Sequence, residues 1–302
     1  MPPMDTFYAP LTDEFIRFSG ADALSFLQAM TTNDLSALAN PGNTRLTGFC
    51  SPQGRLLGLM QVSGEGDTLY ARVPAGMAEP LIEQLKPFVF RSKIEISPVG
   101  GRWCVVGAAG ADMVDALRRA DVPVPEGPGQ TAGREGVHVM CLRDHVMEIA
   151  LPLAELTGLT AALDEAQLRA GDASDWERLA IADGIPEIYP ATMDQFIPQM
   201  LDLDKLGAVS FEKGCYPGQE IIARIRSRGS VKRHMHQAQT DAEAPQPGTD
   251  IKDDAGKSVG NVVRSARNEK GSILLAVIAD PALDAALSLP GSAPLSVIQG
   301  QQ

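Results

Sequence analysis

The chain has 302 residues, a formal net charge of −12 and 44% hydrophobic residues. Its length exceeds the roughly 100 to 200 residues of one domain, so we expect more than one packed unit. The apolar fraction excludes a disordered chain. The acidic balance excludes a protein that coats nucleic acid through bulk positive charge, because such binding needs many cations facing phosphates. Any contact with nucleic acid must therefore be local.

The ends and the cysteines predict a cytoplasmic, reduced protein. The first residues lack a basic stretch followed by an apolar core, so they do not resemble a signal peptide. The longest apolar run, residues 273–279, is too short to span a bilayer. The four cysteines (Cys50, Cys104, Cys141 and Cys215) lie far apart and form no CxxC pair.

The first half of the chain contains an internal repeat. The tripeptide Gly-Ala-Asp at residues 20–22 recurs at residues 110–112, each time between a predicted strand and a predicted amphipathic helix. Paired strands follow in both copies, at 46–50 and 56–62 in the first and at 137–142 and 145–150 in the second. Each copy then ends in another helix. The pattern predicts two tandem βαββα units in an α+β fold, with a cleft or channel where the units meet.

The second half of the chain changes character after residue 170. A short helix runs to about Ile181, and an irregular stretch covers residues 187–212. From residue 231 onwards, short β segments alternate with Pro, Gly and Asp clusters, which is typical of a small β-barrel or sandwich. We therefore divide the chain into a first α+β unit (1–98), a second unit with the segment described next (99–236) and a C-terminal β-barrel (237–302); discontinuous domains stay possible.

The densest group of reactive side chains surrounds Cys215. This cysteine precedes a predicted helix, and Lys213 lies two residues before it. A helix N-terminus and an ammonium group are both positive, so they favour thiolate over thiol. The alternative is an inert thiol in a tight, Gly-bounded turn, and the sequence identifies no histidine partner.

A local excess of positive charge follows the same cysteine. Residues 213–236 carry six Lys or Arg against one acid, Glu220, so this basic segment has a charge of 6 − 1 = +5. It is either a solvated helix face or a local site for a phosphate, a polyanionic ligand tail or RNA. Arg224 and Arg228 are spaced to share one helical face. Further along, His234 and His236 lack a nearby ligand set, which favours a surface pair over a metal site.

The residues around Cys215 carry a resemblance to a known family. Residues 213–220 match the K-G-C-Y-x-G-Q-E signature of the YgfZ family. Its surroundings agree at residues 196–199 and 201–203 upstream, at Ala223-Arg224 and Arg228-Gly229 downstream, and at residues 20–22 near the start. The resemblance spans most of the chain and is weakest after Gln239.

The family is similar to the T-protein of glycine cleavage, a tetrahydrofolate-dependent aminomethyltransferase. The resemblance therefore implies a T-protein-like arrangement around a central folate channel, ending in a β-barrel. It implies a folate-binding accessory protein that supports iron–sulfur cluster assembly or repair and tRNA modification. Its expected partners are folate, iron–sulfur enzymes or assembly factors, and tRNA-modifying enzymes, whereas no membrane and no direct nucleic-acid contact is expected.

The resemblance also implies a set of site residues. Cys215 is the functional thiol, supported by Lys213. Tetrahydrofolate or a derivative is assigned to Trp176, Tyr216, Gln219, Glu220, Arg224 and Arg228, with Trp176 near the ring and the arginines near the anionic tail. Core packing is the alternative for Trp176. No stable metal is expected, because the chain has no four-cysteine set for a cluster.

Two positions depart from the T-protein pattern and bear on enzymatic activity. The catalytic Asp of that protein corresponds to Gly58, and its folate-binding Glu corresponds to Ala182. Without these carboxylates, an aminomethyl donor has no evident general base, which argues against aminomethyl transfer. A folate-dependent transferase or demethylase stays as one alternative. An RNA-binding module that uses the basic segment is the other.

Overall fold

The computed structural model describes residues 6–65, 67–134, 136–229 and 231–298, without the side chains of Glu65 and Arg228. The chain forms two compact units. The first comprises Met1–Thr47 and Met60–Ala173, and the second comprises Gly48–Leu59 and Ser174–Gln302. The three-part division by residue number stays a prediction.

The first unit contains two sheets. Their strands are β1 (Phe7–Leu11), β2 (Glu14–Ser19), β3 (Thr44–Cys50), β4 (Leu56–Glu65), β5 (Thr68–Val73), β6 (Glu95–Val99), β7 (Trp103–Ala109), β8 (Thr131–Arg134), β9 (Val137–Arg143), β10 (Val146–Pro152) and β11 (Arg169–Ala170). The helices are α1 (Ala23–Met30), α2 (Ala78–Leu85), α3 (Met113–Arg119) and α4 (Leu156–Glu165). Strands β3 and β4 extend past the unit, since their hairpin tip belongs to the second unit.

The order of elements confirms the tandem repeat. Sheet neighbours run β3–β4–β5–β2–β6 in one sheet and β8–β9–β10–β7–β1–β11 in the other. Each copy has three strands between its helices, one more than predicted, so the hairpin β9–β10 corresponds to β4–β5. Strand β8 was missed because its four residues, Thr-Ala-Gly-Arg, show no hydrophobic alternation.

The repeated Gly-Ala-Asp tripeptide has a backbone explanation. Gly20 and Gly110 adopt φ values of +123° and +122°, where side chains are strained. A Cβ on Gly20 would collide with the backbone of Lys93, and one on Gly110 would collide with the backbone of Thr6. In the first copy the carboxylate of Asp22 accepts a hydrogen bond from the Lys93 amide at 2.7 Å.

The core of the first unit follows the predicted periodicity. Helix α1 buries its expected stripe, Ala23, Phe26, Leu27 and Met30. The two sheets also pack on each other, because Phe15 of one sheet joins Val105, Met140 and Ala150 of the other in a buried cluster. Each fully buried large apolar side chain contributes about 1.5–3 kcal/mol, so this packing fixes the space between the sheets.

The second unit contains helices α5 (Ala173–Ala182) and α6 (Gln219–Arg228) and a barrel. The barrel strands are β12 (Arg233–Thr240), β13 (Asp250–Lys252), β14 (Ser258–Asn268), β15 (Gly271–Ala279), β16 (Leu287–Leu289) and β17 (Ala293–Val297). These six described strands close in the order β12–β15–β14–β13–β16–β17, which confirms the predicted C-terminal barrel. In the described ranges, no helix has the length and apolar character needed to cross a membrane.

Candidate functional site

The signature residues form a loop directly before helix α6. All four cysteines lie within the described residues, and of these Cys215 alone is exposed. Cys50 and Cys141 are buried, and Cys104 is partly buried on β7. The structure therefore presents one cysteine to solvent, at the position that the signature marks.

Lys213 and Tyr216 are in contact within this loop. The Lys213 ammonium lies 5.3 Å from the centre of the Tyr216 ring, a cation–π arrangement. The Tyr216 side chain is buried, and burial raises the pKa of its phenol to about 12. Tyr216 thus anchors the loop, with Lys213 on its ring. A role for Lys213 in favouring the Cys215 thiolate stays a prediction.

Gly218 seats the loop on the tip of the β3–β4 hairpin. It has φ +80°, and a Cβ there would lie 2.6 Å from the Ser51 carbonyl oxygen and 2.7 Å from the Gly54 Cα. Gly54 has φ +75° and packs against Ile221 of α6. No larger residue fits at Gly218 unless the backbone moves, which explains why the signature has glycine here.

The segment at residues 194–196 is hydrogen-bonded to the same hairpin tip. Ser51 Oγ donates to Asp194 Oδ1 at 2.9 Å, and Arg55 Nη1 donates to the Gln195 carbonyl at 2.7 Å. The Leu56 amide donates to the Phe196 carbonyl at 2.7 Å. We call this assembly the signature cluster: residues 51–56, 194–199 and 213–228.

Helix α6 completes the signature cluster. Gln199 Nε2 donates to the Ile222 carbonyl at 2.8 Å, and Ile222 is fully buried. The segments on which the family resemblance rests, 196–199 and 213–224, are therefore neighbours in space. Their convergence gives the resemblance a structural basis.

The other face of α6 is exposed and basic. Arg224 lies 3.7 Å from Glu220, and both side chains are mostly exposed. The Arg226 guanidinium lies 4.0 Å from the centre of the Phe211 ring. The side chain of Arg228 lies outside the described part of the chain. Gln219 begins the helix and is partly exposed.

Trp176 and the two departures from the T-protein pattern lie on other elements. Trp176 is on α5 with 8% of its surface exposed, so most of the side chain is packed inside the second unit. Its contact with a folate ring stays a prediction. Gly58 lies on β4, the second strand of the first hairpin, as expected, and Ala182 is the last residue of α5.

The first unit holds a cavity between the sheets of the two repeat copies, where the sequence predicted a cleft or channel. It measures about 40 Å³ and lies between the two sheets, with Phe15, Tyr70, Val99, Trp103, His138 and Ala150 in its wall. His138 Nε2 and Ser63 Oγ are hydrogen-bonded at 3.1 Å. Three aromatic rings and an imidazole thus line a small, largely apolar space.

A larger, more polar cavity adjoins the first. It measures about 300 Å³ and shares Trp103 and His138 with the smaller cavity. The rest of its wall includes Gly42, Thr131 and Arg134. Ligand pockets usually measure roughly 300 to 1,000 Å³, so the larger cavity reaches the lower end of that range and the smaller one falls well below it.

A buried ion-pair network lies beside the smaller cavity. Arg72 Nη2 is 3.1 Å from Glu148 Oε1, and Arg72 Nη1 is 3.3 Å from Asp13 Oδ1. Glu148 is fully buried and lies two residues before Ala150 on β10, while Arg72 lies opposite Phe15 across β2 and β5. Charged groups therefore border the apolar space.

The sequence predicted a cleft where the repeat copies meet, but not the residues of its walls. The smaller cavity is lined by β2, β5, β6, β7, β9 and β10, and the larger mainly by β4, β7, β8, β9 and the loop at 41–42, and these segments share no motif. A possible signal was the alternation on β5, where Tyr70 and Arg72 face the same side. Across the described ranges, no group of three His, Cys, Asp or Glu side chains is placed to hold a metal ion.

Comparisons with known proteins agree with this geometry. The fold matches the crystal structure of the glycine cleavage system aminomethyltransferase T from Bartonella henselae, with a TM-score of 0.78, 16% identity, and coverage of 98% of this chain and 86% of that one. No protein-family model matches the chain. The architecture therefore defines a protein of the aminomethyltransferase T fold.

The sequence relatives are more specific. The tRNA-modifying protein YgfZ of Edwardsiella ictaluri (strain 93-146) is 30% identical over 298 residues, which cover 92% of this chain and 87% of the relative. The tRNA-modifying protein YgfZ of Escherichia coli (strain K12) is 29% identical over 268 residues, covering 86% of this chain and 81% of the relative. The chain belongs to the YgfZ family.

Proposed function

We propose that the protein is a folate-binding accessory factor that supports iron–sulfur cluster assembly or repair and tRNA modification through the thiol of Cys215. The observation that carries the proposal is the exposure of Cys215 on an ordered loop. Gly218 lies against the hairpin tip, and the buried side chain of Tyr216 anchors the loop. The name of the YgfZ relatives supports the link to tRNA modification.

The thiol acts in sulfur or redox handling rather than as a permanent cluster ligand. One cysteine supplies one of the four ligands that a cluster usually needs, so a cluster would require a partner's ligands. The partners proposed are iron–sulfur enzymes or assembly factors and tRNA-modifying enzymes, which would reach Cys215 from solvent. Lys213 is the nearest basic residue in sequence to support the thiolate.

The proposed folate site of the first unit is the larger cavity. Trp103 supplies an aromatic face in its wall for the ring, and Thr131, Arg134 and His138 supply polar groups for the rest of the ligand. A bound folate would supply one-carbon or redox chemistry at its ring. Trp176 is the alternative ring contact, with Tyr216, Gln219, Glu220, Arg224 and Arg228 as further folate contacts in the second unit.

Calorimetric titration with tetrahydrofolate separates these placements. We expect the Trp103→Ala variant to bind about tenfold more weakly than the wild type, since an aromatic contact is worth about 0.5–1.5 kcal/mol beyond its buried area. Trp176→Ala should then bind normally. A loss confined to Trp176→Ala would move the ring to the second unit, and no binding by the wild type would contradict the folate proposal.

Aminomethyl transfer or demethylation is the second candidate function, because the fold is that of an aminomethyltransferase. By the resemblance to the T-protein, Gly58 takes the position of its catalytic Asp and Ala182 that of its folate-binding Glu, so both carboxylates are replaced. The buried carboxylate beside the cavity, Glu148, is engaged by Arg72. We expect no turnover of aminomethyl or N-methyl donors by the purified protein with tetrahydrofolate. Turnover that Glu148→Gln abolishes would overturn the accessory assignment.

A further inference from the structure

An exposed aromatic pair lies between α2 and β6 of the first unit. Phe90 is 89% exposed and Phe88 is 46% exposed, whereas the preceding Leu85 is fully buried. We call residues 86–93 the aromatic–basic patch. Two phenylalanines facing solvent so close together are unusual, because large apolar side chains gain by burial.

The backbone that carries these rings is ordered by hydrogen bonds. The Val89 amide donates to the Lys86 carbonyl at 3.2 Å, and the Ser92 amide donates to the Val89 carbonyl at 3.2 Å. The Lys93 amide donates to Asp22 Oδ2 at 2.7 Å. Two consecutive turns and the hydrogen bond from Lys93 to Asp22 thus fix the backbone that carries the rings. The exposure of the rings follows from this backbone conformation.

The same residues form a positive area on an acidic protein. Lys86, Arg91 and Lys93 are exposed, and residues 86–93 contain no acid, which gives +3 against −12 for the chain. Lys86 pairs with Glu83 on α2. The Arg91 guanidinium lies 6.0 Å from the centre of the Phe90 ring. The charge favours an anionic partner, and the rings favour one with flat apolar faces.

We propose that the aromatic–basic patch binds single-stranded RNA, with a base stacked on Phe90 and phosphates bound by Arg91 and Lys93. Unpaired bases stack on aromatic side chains while cations track the backbone. A duplex hides its base faces, so a loop or single strand fits better. The patch is a pair of turns and not an amphipathic helix, which favours RNA over an anionic membrane. This contact goes beyond the proposed function, since it needs neither folate nor Cys215.

The test measures binding of fluorescein-labelled oligoadenylate, and of its duplex with oligouridylate, by fluorescence anisotropy at several salt concentrations. We expect the single strand to bind better than the duplex. Phe90→Ala should weaken single-strand binding about tenfold, the loss expected for one stacked base, and Phe90→Trp should retain it. Arg91→Gln and Lys93→Gln should each lower the slope of log K against log salt by about 0.7.

Matched controls come from other exposed positions of the first unit. Leu153→Ala truncates an apolar side chain that is 51% exposed, and Arg118→Gln removes an exposed charge on α3. Both should bind like the wild type. Equal affinity of wild type and Phe90→Ala would overturn the proposal. The proposal would also be overturned if the protein bound phosphatidylserine vesicles but not the single strand, and if Phe90→Ala abolished the vesicle binding.

Discussion

The two glycines of the signature loop differ in their surroundings. A Cβ on Gly218 would meet backbone atoms of Ser51 and Gly54, and its φ is +80°. A Cβ on Gly214 would have no atom within 4 Å. Gly218 is therefore required for the loop to rest on the hairpin tip, whereas the space at Gly214 allows a side chain.

We predict that Gly218→Ala lowers the free energy of unfolding by roughly 3 kcal/mol, the upper end of the cost of a strained backbone conformation. Chemical denaturation measures the change. Gly214→Ala is the matched control and should change stability by less than about 0.5 kcal/mol. Equal losses in the two variants would contradict the claim that close packing of Gly218 on the hairpin tip holds the loop in place.

The cysteines should differ sharply in reactivity. Burial raises the pKa of the Cys50 thiol from 9.0 to about 12 and leaves 1% of the residue exposed. Cys215 is exposed. We predict that iodoacetamide at mildly alkaline pH modifies Cys215 first in the folded protein and reaches Cys50 only in denaturant, because alkylation requires an accessible thiolate.

Peptide mass spectrometry after timed alkylation checks this prediction. Cys215→Ser should remove the fast adduct and leave the slow ones unchanged. If Cys50 reacts as fast as Cys215 in the folded chain, the packing described for the β3–β4 hairpin is wrong.

At the residue scale, sequence motifs predicted the features that depend on neighbouring residues in the chain. The loop position of Cys215 followed from its Gly-bounded segment before a helical pattern. The contact of Lys213 with Tyr216 did not, because a spacing of three residues fixes no side-chain direction in a loop. The cavity residues Trp103 and His138 could not be predicted, since pairing between distant strands brings them together.

At the scale of elements, a buried arginine ties helix α5 to the barrel. Arg264 of β14 binds both carboxylate oxygens of Glu177, with Nε to Oε2 at 2.8 Å and Nη2 to Oε1 at 2.6 Å. Its Nη1 donates to the Ile185 carbonyl at 2.9 Å. Arg264 is 5% exposed, so water cannot replace these partners.

We predict that Glu177→Ala lowers the free energy of unfolding by about 3 kcal/mol, the lower end of the cost of breaking a buried ion pair, because the buried guanidinium loses its hydrogen-bonded carboxylate and keeps only the charge of Glu187 nearby. Urea denaturation measures the loss. The exposed pair Arg118–Asp115 is the control, and Arg118→Ala should cost less than about 1 kcal/mol. Similar losses for the two variants would show that the Arg264 contact adds nothing to stability.

Strand β12 should give the barrel a sensitivity to acid. Burial, followed by the nearby His234, lowers the pKa of His236 from 6.5, against the opposing effect of Asp280 and Asp202. The folded state therefore favours neutral His236. The contribution of His236 to the free energy of unfolding is fully present above 6.5, its pKa in the unfolded chain. It is lost as the pH falls through the lower pKa that His236 has in the folded protein.

We predict that the free energy of unfolding decreases as pH falls below about 6.5 and that His236→Gln flattens this dependence. Denaturation at a series of pH values measures both slopes. Gln239→Asn, at an exposed residue of the same strand that does not titrate, is the control and should leave the dependence unaltered. An unchanged slope in His236→Gln would contradict the assignment.

Periodicity predicted the long elements and missed several shorter ones, including β5, although its six residues alternate between buried and partly exposed. The stripe of α1, the β3–β4 turn and the helix after the signature were confirmed. Strands β13 and β16 have three residues each, too few to show alternation. Glu177 of α5 binds Arg264 of the barrel, and no local sequence pattern indicates this partner because the two residues are far apart in the chain.

At the scale of the whole molecule, the net charge of −12 is a misleading average. The basic segment at 213–236 carries +5, and the aromatic–basic patch carries +3. The composition excluded bulk coating of nucleic acid but allowed local anion contacts. The tandem repeat and the barrel were predicted, whereas the placement of residues 48–59 in the second unit depends on contacts between segments far apart in sequence.

The central claim is that the exposed thiol of Cys215 performs the protein's role. The direct test expresses variants in cells that lack the native protein and measures iron–sulfur enzyme activity and tRNA thiomodification at matched protein levels. We predict that Cys215→Ala fails to restore either readout, while Cys104→Ala, at a partly buried cysteine, restores both. Full restoration by Cys215→Ala would contradict the account.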